Sequence, residues 1–218
     1  MKKTLFLCCL AFVALAANAQ VSIQPGVRGG INFSKLTNSD ADMKTDFFVG
    51  GSIAIKFTKF YALQPELTYS RQGAKAADYY NALVPEFDPM FYPERKVERK
   101  YSLDYLSLGI INKFTFGPGF QVMVGPSFDF KVADNFDSYG YGSPQDFDLS
   151  LVAGVGFVLK NGLGFDLRLK QGLVDVYGYD RFNTYYDQYG NYYNNYNVDD
   201  IVLNQVIQVG VSYSFKMK

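Results

Sequence analysis

The chain has 218 residues, a length that suits one domain. Lysine and arginine together number 21, as do aspartate and glutamate, so no excess of positive charge points to a nucleic-acid partner. Histidine is absent, which excludes Ser-His-Asp or Cys-His catalysis and removes the commonest metal ligand. No glycine-rich phosphate loop leads from a strand into a helix, and the pattern predicts no enzyme, cofactor or metal site.

The N-terminal 19 residues have the features of a cleaved secretory signal peptide. A positively charged start is followed by an apolar run over residues 5–17 and by the small-residue cleavage pattern Ala17-Asn18-Ala19. The apolar run is shorter than the roughly 20 residues that a membrane-spanning helix needs. Both cysteines lie in this segment, so we expect a mature domain of residues 20–218 without a thiol. Loss of the two N-terminal lysines leaves 19 basic and 21 acidic residues, a net charge of −2.

The mature chain contains eight segments whose side chains alternate between a bulky apolar face and a face of small or charged residues. A period of two residues indicates β-strands. The pattern is clearest in a hairpin over residues 147–170 and least regular in the fourth segment, where Ile111 falls on the polar face and Asn112 on the apolar face. The segments cover residues 22–34, 47–57, 61–71, 101–116 and 120–131, the two arms of the 147–170 hairpin, and residues 201–216.

The connections between these segments alternate in length. Three are tight turns, at residues 58–60, 117–119 and 160–162, and four are long and polar, at residues 35–46, 72–100, 132–146 and 175–200. Short turns at one end of an even number of strands and long loops at the other are typical of outer-membrane barrels. The sequence therefore predicts an all-β, eight-stranded antiparallel up-and-down transmembrane barrel with both termini in the periplasm.

Face parity predicts the length of each short turn. Opposed residues of a hairpin share a face, so Leu159 should lie opposite Leu163, which leaves a three-residue loop. A two-residue turn at Asn161-Gly162 would instead put Lys160 on the lipid face. Three-residue loops favour a left-handed residue near their end; Gly162 suits that position, whereas Phe60 in the first turn does not.

Aromatic residues on the apolar face cluster at both ends of the predicted strands, as in the two girdles of a membrane barrel. Those near the short turns are Phe57, Tyr61, Phe114, Phe116, Phe120, Phe157, Phe165, Tyr213 and Phe215. Those near the long loops are Phe33, Tyr69, Tyr101, Phe128, Phe130 and Phe147. A soluble lipocalin-type barrel would turn the apolar set inward, but eight strands enclose too little space for side chains of that bulk.

Charged residues on the polar face should point into the lumen. Glu66 and Arg168 lie at similar depth, Lys113 lies near the short turns and Asp129 near the long loops. One interpretation is a proton or ion path; the other is a salt-bridged plug, which we favour because buried charges must be paired. The predicted network consists of Arg28, Glu66, Asp166, Arg168, Lys113 and Asp129.

The long loops carry the other candidate residues. Residues 175–200 are rich in tyrosine and asparagine, which favour adaptable contacts with protein or carbohydrate, although a polar ribbon that simply extends the strands fits equally well. Residues 94–100 form a charged run that is either solvated or in contact with lipid headgroups. A calcium site formed by Asp187, Asn191, Asp199 and Asp200 is an alternative, but their spacing matches no 12-residue calcium loop. The candidate contact residues are Tyr185, Tyr186, Tyr189, Tyr192, Tyr193 and Tyr196.

Several stretches resemble a known family. They are the segment Pro25–Ser34, the segment Leu63–Ser70, Tyr105-Leu106 with Lys113-Phe114, Val124-Gly125-Pro126 and Gly154-Val155-Gly156. On these, the mature chain resembles the PorT-like outer-membrane β-barrel family common in Bacteroidota. The resemblance implies an eight-stranded outer-membrane barrel. One member of the family is linked to protein secretion and gliding machinery, but most members have no assigned role, so the resemblance specifies no function for this chain.

Three functional hypotheses follow. The first is a non-enzymatic, monomeric barrel in the lipid of the cell outer membrane, whose long extracellular loops form an interaction platform for protein or glycan partners. The second is an accessory component of a secretion or cell-envelope machinery. The third and least favoured is a small-solute channel.

Overall fold

The computed structural model describes residues 21–39, 41–80, 95–136, 144–178, 184–186, 192–194 and 201–215. The predicted signal peptide, residues 1–19, lies outside them. The strands are β1 (Ser22–Leu36), β2 (Asp42–Lys56), β3 (Tyr61–Tyr80), β4 (Arg95–Phe116), β5 (Phe120–Asp134), β6 (Phe147–Val158), β7 (Leu163–Gly172), β8 (Thr184–Tyr186), β9 (Tyr192–Asn194) and β10 (Asn204–Ser214). The described residues include no helix that is long and apolar enough to cross a membrane.

Eight of these strands close into an antiparallel barrel, which confirms the predicted fold. Their order is β1-β10-β7-β6-β5-β4-β3-β2, so neighbours in sequence are neighbours in space and β10 closes the barrel against β1. The closing register runs from Gly26 opposite Ser214 to Leu36 opposite Asn204. Because every strand of the barrel has two partners, its wall has no open edge, as a membrane-spanning sheet requires.

The two faces of the wall have opposite chemistry. On the outside, Val49 and Leu67 are 55% and 53% exposed, while on the inside Glu66 and Arg168 are only 5% and 3% exposed. A continuous exposed apolar surface is the reverse of what a soluble barrel shows, and it is the surface that lipid covers. The soluble lipocalin-type alternative is therefore excluded.

The three short turns have the predicted length of three residues. Phe157 pairs with Phe165, and the N–H of Leu159 donates to the carbonyl of Leu163 at 2.7 Å. Gly162 adopts a φ of +96°, which an L side chain rarely takes. In the first turn, Thr58 Oγ1 instead accepts hydrogen bonds from the N–H groups of Phe60 (3.1 Å) and of the residue that follows it. This threonine stabilises a turn that has no glycine.

Several strands extend beyond the segments predicted from hydrophobic alternation. β2 begins at Asp42 rather than residue 47, and the β3–β4 ladder continues to the pair Tyr80 and Arg95, nine residues beyond the predicted end of the third segment. Backbone pairing continues there although the lipid-facing alternation has ended, because a strand outside the membrane needs no continuous apolar face. The loop predicted over residues 72–100 is correspondingly shorter.

Aromatic side chains ring the outer face at both ends of the barrel. At the short-turn end, rings in contact are Phe57 with Tyr61 (5.8 Å between centroids), Tyr61 with Phe114 (5.5 Å) and Phe116 with Phe120 (6.3 Å). At the other end they are Phe47 with Tyr69 (6.0 Å) and Phe130 with Phe147 (5.5 Å). The placement of Tyr101 in this outer girdle was wrong. Tyr101 is buried on the lumen face, since it has the same parity as the inward-facing Tyr105.

An apolar cluster, here called the outer core, fills the long-loop end of the lumen. Its members come from β1, β3 and β4 and from the segments that follow β5, follow β7 and precede β10, and each is at most 6% exposed. They are Leu36, Ala74, Tyr101, Leu103, Tyr105, Phe136, Val176 and Val202. The loop segments are tied together by backbone hydrogen bonds, such as Val176 N–H to Val202 carbonyl at 2.8 Å. The polar lumen is therefore covered by an apolar layer at this end.

Candidate functional site

Four charged side chains meet in the middle of the lumen and form two linked ion pairs; we call them the lumen quartet. Arg168 of β7 binds Glu66 of β3 through both terminal nitrogens, with Nη1–Oε2 at 2.8 Å and Nη2–Oε1 at 3.1 Å. Arg28 of β1 donates to Asp166 Oδ1 at 2.8 Å, and its other terminal nitrogen lies 3.6 Å from Glu66 Oε2. Arg168 Nε lies 3.0 Å from the same Asp166 oxygen. The formal charges of the quartet therefore cancel.

Small residues on neighbouring strands make room for these long side chains. A Cβ atom on Gly154, which pairs with Arg168, would lie 2.7 Å from the Cγ of that arginine. A Cβ atom on Gly210 would lie 3.0 Å from the carboxylate of Asp166. The inward-facing ring of Phe48 lies 4.4 Å from the guanidinium carbon of Arg28, a cation–π contact. The alternation of glycine with charged residues on the polar face thus determines which lumen positions can hold a large side chain.

Little space remains around the quartet. The cavity lined by Arg28, Glu66, Ser107, Arg168 and their neighbours has a volume of about 20 Å³, enough for roughly one water molecule. An eight-stranded barrel has an interior just wide enough for packed side chains, and here charged side chains fill it. At this level the space between the described side chains is therefore no larger than about one water molecule.

Asp129 of the predicted network lies nearer the long loops, in a separate ion pair whose other member the prediction did not include. Its partner is Lys170, with Nζ 2.7 Å from Asp129 Oδ1. The hydroxyls of Ser127 and Ser150 also donate to Asp129, at 2.9 Å and 2.7 Å. A sequence signal for Lys170 existed, because it follows Arg168 by two residues and so shares its face. Lys113, which was also predicted to belong to the network, lies at the short-turn end and is a member of none of these ion pairs.

The tyrosine-rich loop is described only in part. The backbone of β8 pairs with that of β9, with Tyr185 opposite Tyr193 and Tyr186 opposite Tyr192. Tyr189 and Tyr196 lie outside the described residues, as do the acidic and amide residues considered for calcium. Among the residues that are described, no group of three or more histidine, cysteine, aspartate or glutamate side chains could hold a metal ion.

Similar solved structures are barrels of distant sequence. They include neisserial surface protein A (13% identity, TM-score 0.46, covering 89% of this chain and 99% of that chain). They also include Ail, the attachment invasion locus protein of Yersinia pestis (9% identity, TM-score 0.45, covering 88% and 98%), and a de novo designed transmembrane β-barrel (11% identity, TM-score 0.39, covering 88% and 95%).

No curated protein matches the chain at a significant level. A family model described as "Outer membrane protein beta-barrel domain" matches residues 18–178, which is most of the chain. With the closed eight-stranded barrel and its apolar outer face, this match shows that the chain belongs to the outer membrane protein β-barrel domain family.

Proposed function

We propose that this outer-membrane barrel is a non-enzymatic surface protein whose extracellular loops are its contact surface and whose lumen is plugged. The observation that supports the proposal is that side chains fill most of the lumen. The lumen quartet leaves a cavity of only about 20 Å³, and the outer core covers the polar interior at the long-loop end. In such a barrel, the side chains that a partner can reach lie in the segments that extend beyond the membrane.

Two features favour the loops as that contact surface. The β3–β4 ladder continues beyond the last pairing of β4 with β5, which is Leu103 with Asp134, so a two-stranded ribbon projects from the barrel. The segment between β7 and β10 contains the six candidate tyrosines, and its β8–β9 pairing gives part of it a defined backbone. Tyrosine presents a large contact area at low conformational cost, and suits protein or glycan partners.

A loop replacement tests the contact surface. Residues 178–197 are exchanged for a short Gly-Ser linker, and adhesion of intact cells or proteoliposomes to glycan and protein arrays is measured. A matched control shortens the other long loop at residues 83–92. We expect adhesion to fall only in the first variant; equal adhesion of the first variant and the unaltered protein would overturn the assignment to this loop.

Planar-bilayer conductance tests the plug directly. We expect no stepwise conductance from the purified barrel, because the quartet occupies the lumen cross-section. Reproducible single-channel openings would replace the platform hypothesis with the small-solute channel.

The resemblance to the PorT-like group supports a second candidate, an accessory component of a secretion or cell-envelope machinery. In this arrangement the short turns and both chain termini face periplasmic partners. β1 begins and β10 ends at the short-turn end, where the Phe215 N–H donates to the Pro25 carbonyl at 2.8 Å. Stoichiometric co-purification of periplasmic or inner-membrane proteins with the tagged barrel would favour this candidate over a self-sufficient platform.

N-terminal sequencing of the mature protein should begin at Gln20 if the signal peptide is cleaved as proposed.

A further inference from the structure

A second, larger cavity opens at the short-turn end of the lumen. We call it the basic vestibule; it has a volume of about 190 Å³, so several water molecules fit in it. Residues of the first and third short turns and of β1 to β6 and β10 line it. Its inner end is at Gln64, whose side-chain amide donates to Glu66 of the lumen quartet at 2.6 Å. The vestibule is thus a pocket with one open end, whose floor is the plugged lumen.

The charge of the vestibule is entirely positive. Four lysines line it, and none of its described lining residues is acidic. The same bias is present in the sequence, since residues 53–64, 111–124 and 155–165 around the three short turns contain no aspartate or glutamate. The lysines are Lys56, Lys59, Lys113 and Lys160.

The nearest carboxylates are already occupied. Glu66 accepts two hydrogen bonds from Arg168 and one from Gln64, and Asp166 is held by Arg28 and Arg168. Within the described part of the chain, the Lys113 ammonium forms no hydrogen bond or salt bridge. Because the quartet is neutral by itself, it leaves the positive charge of the vestibule uncompensated, and a bound anion would compensate it.

The lining also indicates which anion fits. Its cations are all lysines, which act as compact point charges with three donors each, whereas planar carboxylates are best bound by the fork of arginine. The neutral groups Gln24, Gln121, Thr115 and Ser214 lie among them and can donate further hydrogen bonds. Several ammonium and neutral donors around one cavity suit a compact oxyanion with many acceptor sites.

From this arrangement we propose that the basic vestibule is a binding site for a phosphate group, held by Lys113 at its base and by Lys56 and Lys160 nearer its mouth. The phosphate belongs either to a soluble anion or to the headgroup of a phospholipid in the adjacent leaflet. The site lies at the opposite end of the barrel from the proposed contact loops, so it does not depend on that function.

Equilibrium dialysis of the refolded barrel against inorganic phosphate tests the proposal. The measurement uses a detergent without phosphate groups and low ionic strength. We expect saturable binding of about one phosphate, weakened roughly tenfold in Lys113→Gln, since a hydrogen bond to a charged group is worth about that factor. Lys160→Gln provides a second variant at an exposed turn position. Lys35→Gln removes the same charge at the long-loop end and should leave affinity unchanged.

The source of the phosphate is distinguished by repeating the dialysis in phospholipid vesicles. Binding that persists in vesicles identifies a soluble anion, whereas binding lost in vesicles and present in detergent identifies a lipid headgroup. Absence of saturable binding to the folded barrel, or equal weakening by Lys35→Gln and Lys113→Gln, would overturn the site.

Discussion

Glu66→Ala removes one of the two carboxylates that neutralise two buried arginines. In the variant, Arg28 and Arg168 share Asp166 alone, so one net positive charge remains in the plugged part of the lumen. Breaking a buried ion pair by removing one partner costs about 3–5 kcal/mol. We expect about 3 kcal/mol, the lower end, because the deleted side chain leaves space in which water can hydrate a guanidinium group.

Urea unfolding of the refolded barrel in detergent measures this change. The chain has no tryptophan, so far-UV circular dichroism or the gel shift of the folded form serves as the signal. At a denaturant slope of about 2 kcal/mol per M, the midpoint should fall by about 1.5 M. The control is Glu98→Gln, which removes a carboxylate 3.6 Å from Lys75 in a pair whose side chains are 33% and 56% exposed; we expect a change below about 1 kcal/mol.

A double variant tests the cause. Glu66→Leu with Arg168→Met removes one pair completely and leaves Arg28 with Asp166, and it should recover most of the lost stability, since apolar replacement of a whole buried pair is often neutral. The reasoning is refuted if Glu66→Ala unfolds at the same urea concentration as Glu98→Gln, or if the double variant is less stable than the single one.

Three further changes test the wall and its turns. Gly162→Ala should destabilise the barrel by about 1–3 kcal/mol, because φ is +96° and the new Cβ would lie 2.5 Å from a backbone carbonyl oxygen. The control is Gly51→Ala, where the nearest atom to the new Cβ is 3.8 Å away, and it should change the urea midpoint little. Val209→Arg on the lipid face should cost about 2–4 kcal/mol in vesicle unfolding if that position lies near the bilayer midplane; a neutral result would place it at an interface. Tyr61→Phe should cost about 1–3 kcal/mol, because it removes the hydroxyl that donates to Asn112 Oδ1 at 2.9 Å on the outer face, and an unchanged midpoint would mean that water replaces the bond.

The wall of the barrel could be predicted because strand parity links sequence directly to position. Once Leu159 is required to face Leu163, the length of the turn and the direction of every side chain on both arms follow. The same counting places Glu66 and Arg168 at one depth although 102 positions separate them along the chain, and the structure brings them within 2.8 Å. Depth in a barrel is a linear function of distance from the turns, so it can be read from sequence.

The sequence did not predict the parts of the barrel in which the contrast between a lipid-facing apolar side and a polar lumen side breaks down. Tyr101 was assigned to the outer girdle from its residue type and its position near a loop, although its parity already placed it with Tyr105 on the inner face. The inward Leu103 was a further sign of an apolar filling that a uniformly polar lumen does not explain. The continuation of β3 to Tyr80 could not be inferred, because pairing in water needs no apolar face.

The irregular fourth segment also shows where the pattern of apolar and polar residues is insufficient. Ile111 packs inside the lumen with Met123 and Val152, while Asn112 faces outward and is satisfied by Tyr61 and by the Val124 carbonyl at 3.3 Å. Each exception has a local partner. Those partners lie on other strands, so the pattern of one segment alone cannot identify them.

The lumen quartet and the outer core close the barrel at two successive levels, the first through ion pairs and the second through apolar packing. A buried ionic seal is screened little by salt but weakens at extreme pH, whereas an apolar seal weakens with cold and with chaotropic agents. A stress that loosens the lumen quartet therefore leaves the outer core closed, and the reverse also holds. Leakage through the barrel then requires two unrelated failures at once, and loop residues outside the outer core can vary in sequence without opening the lumen beneath them.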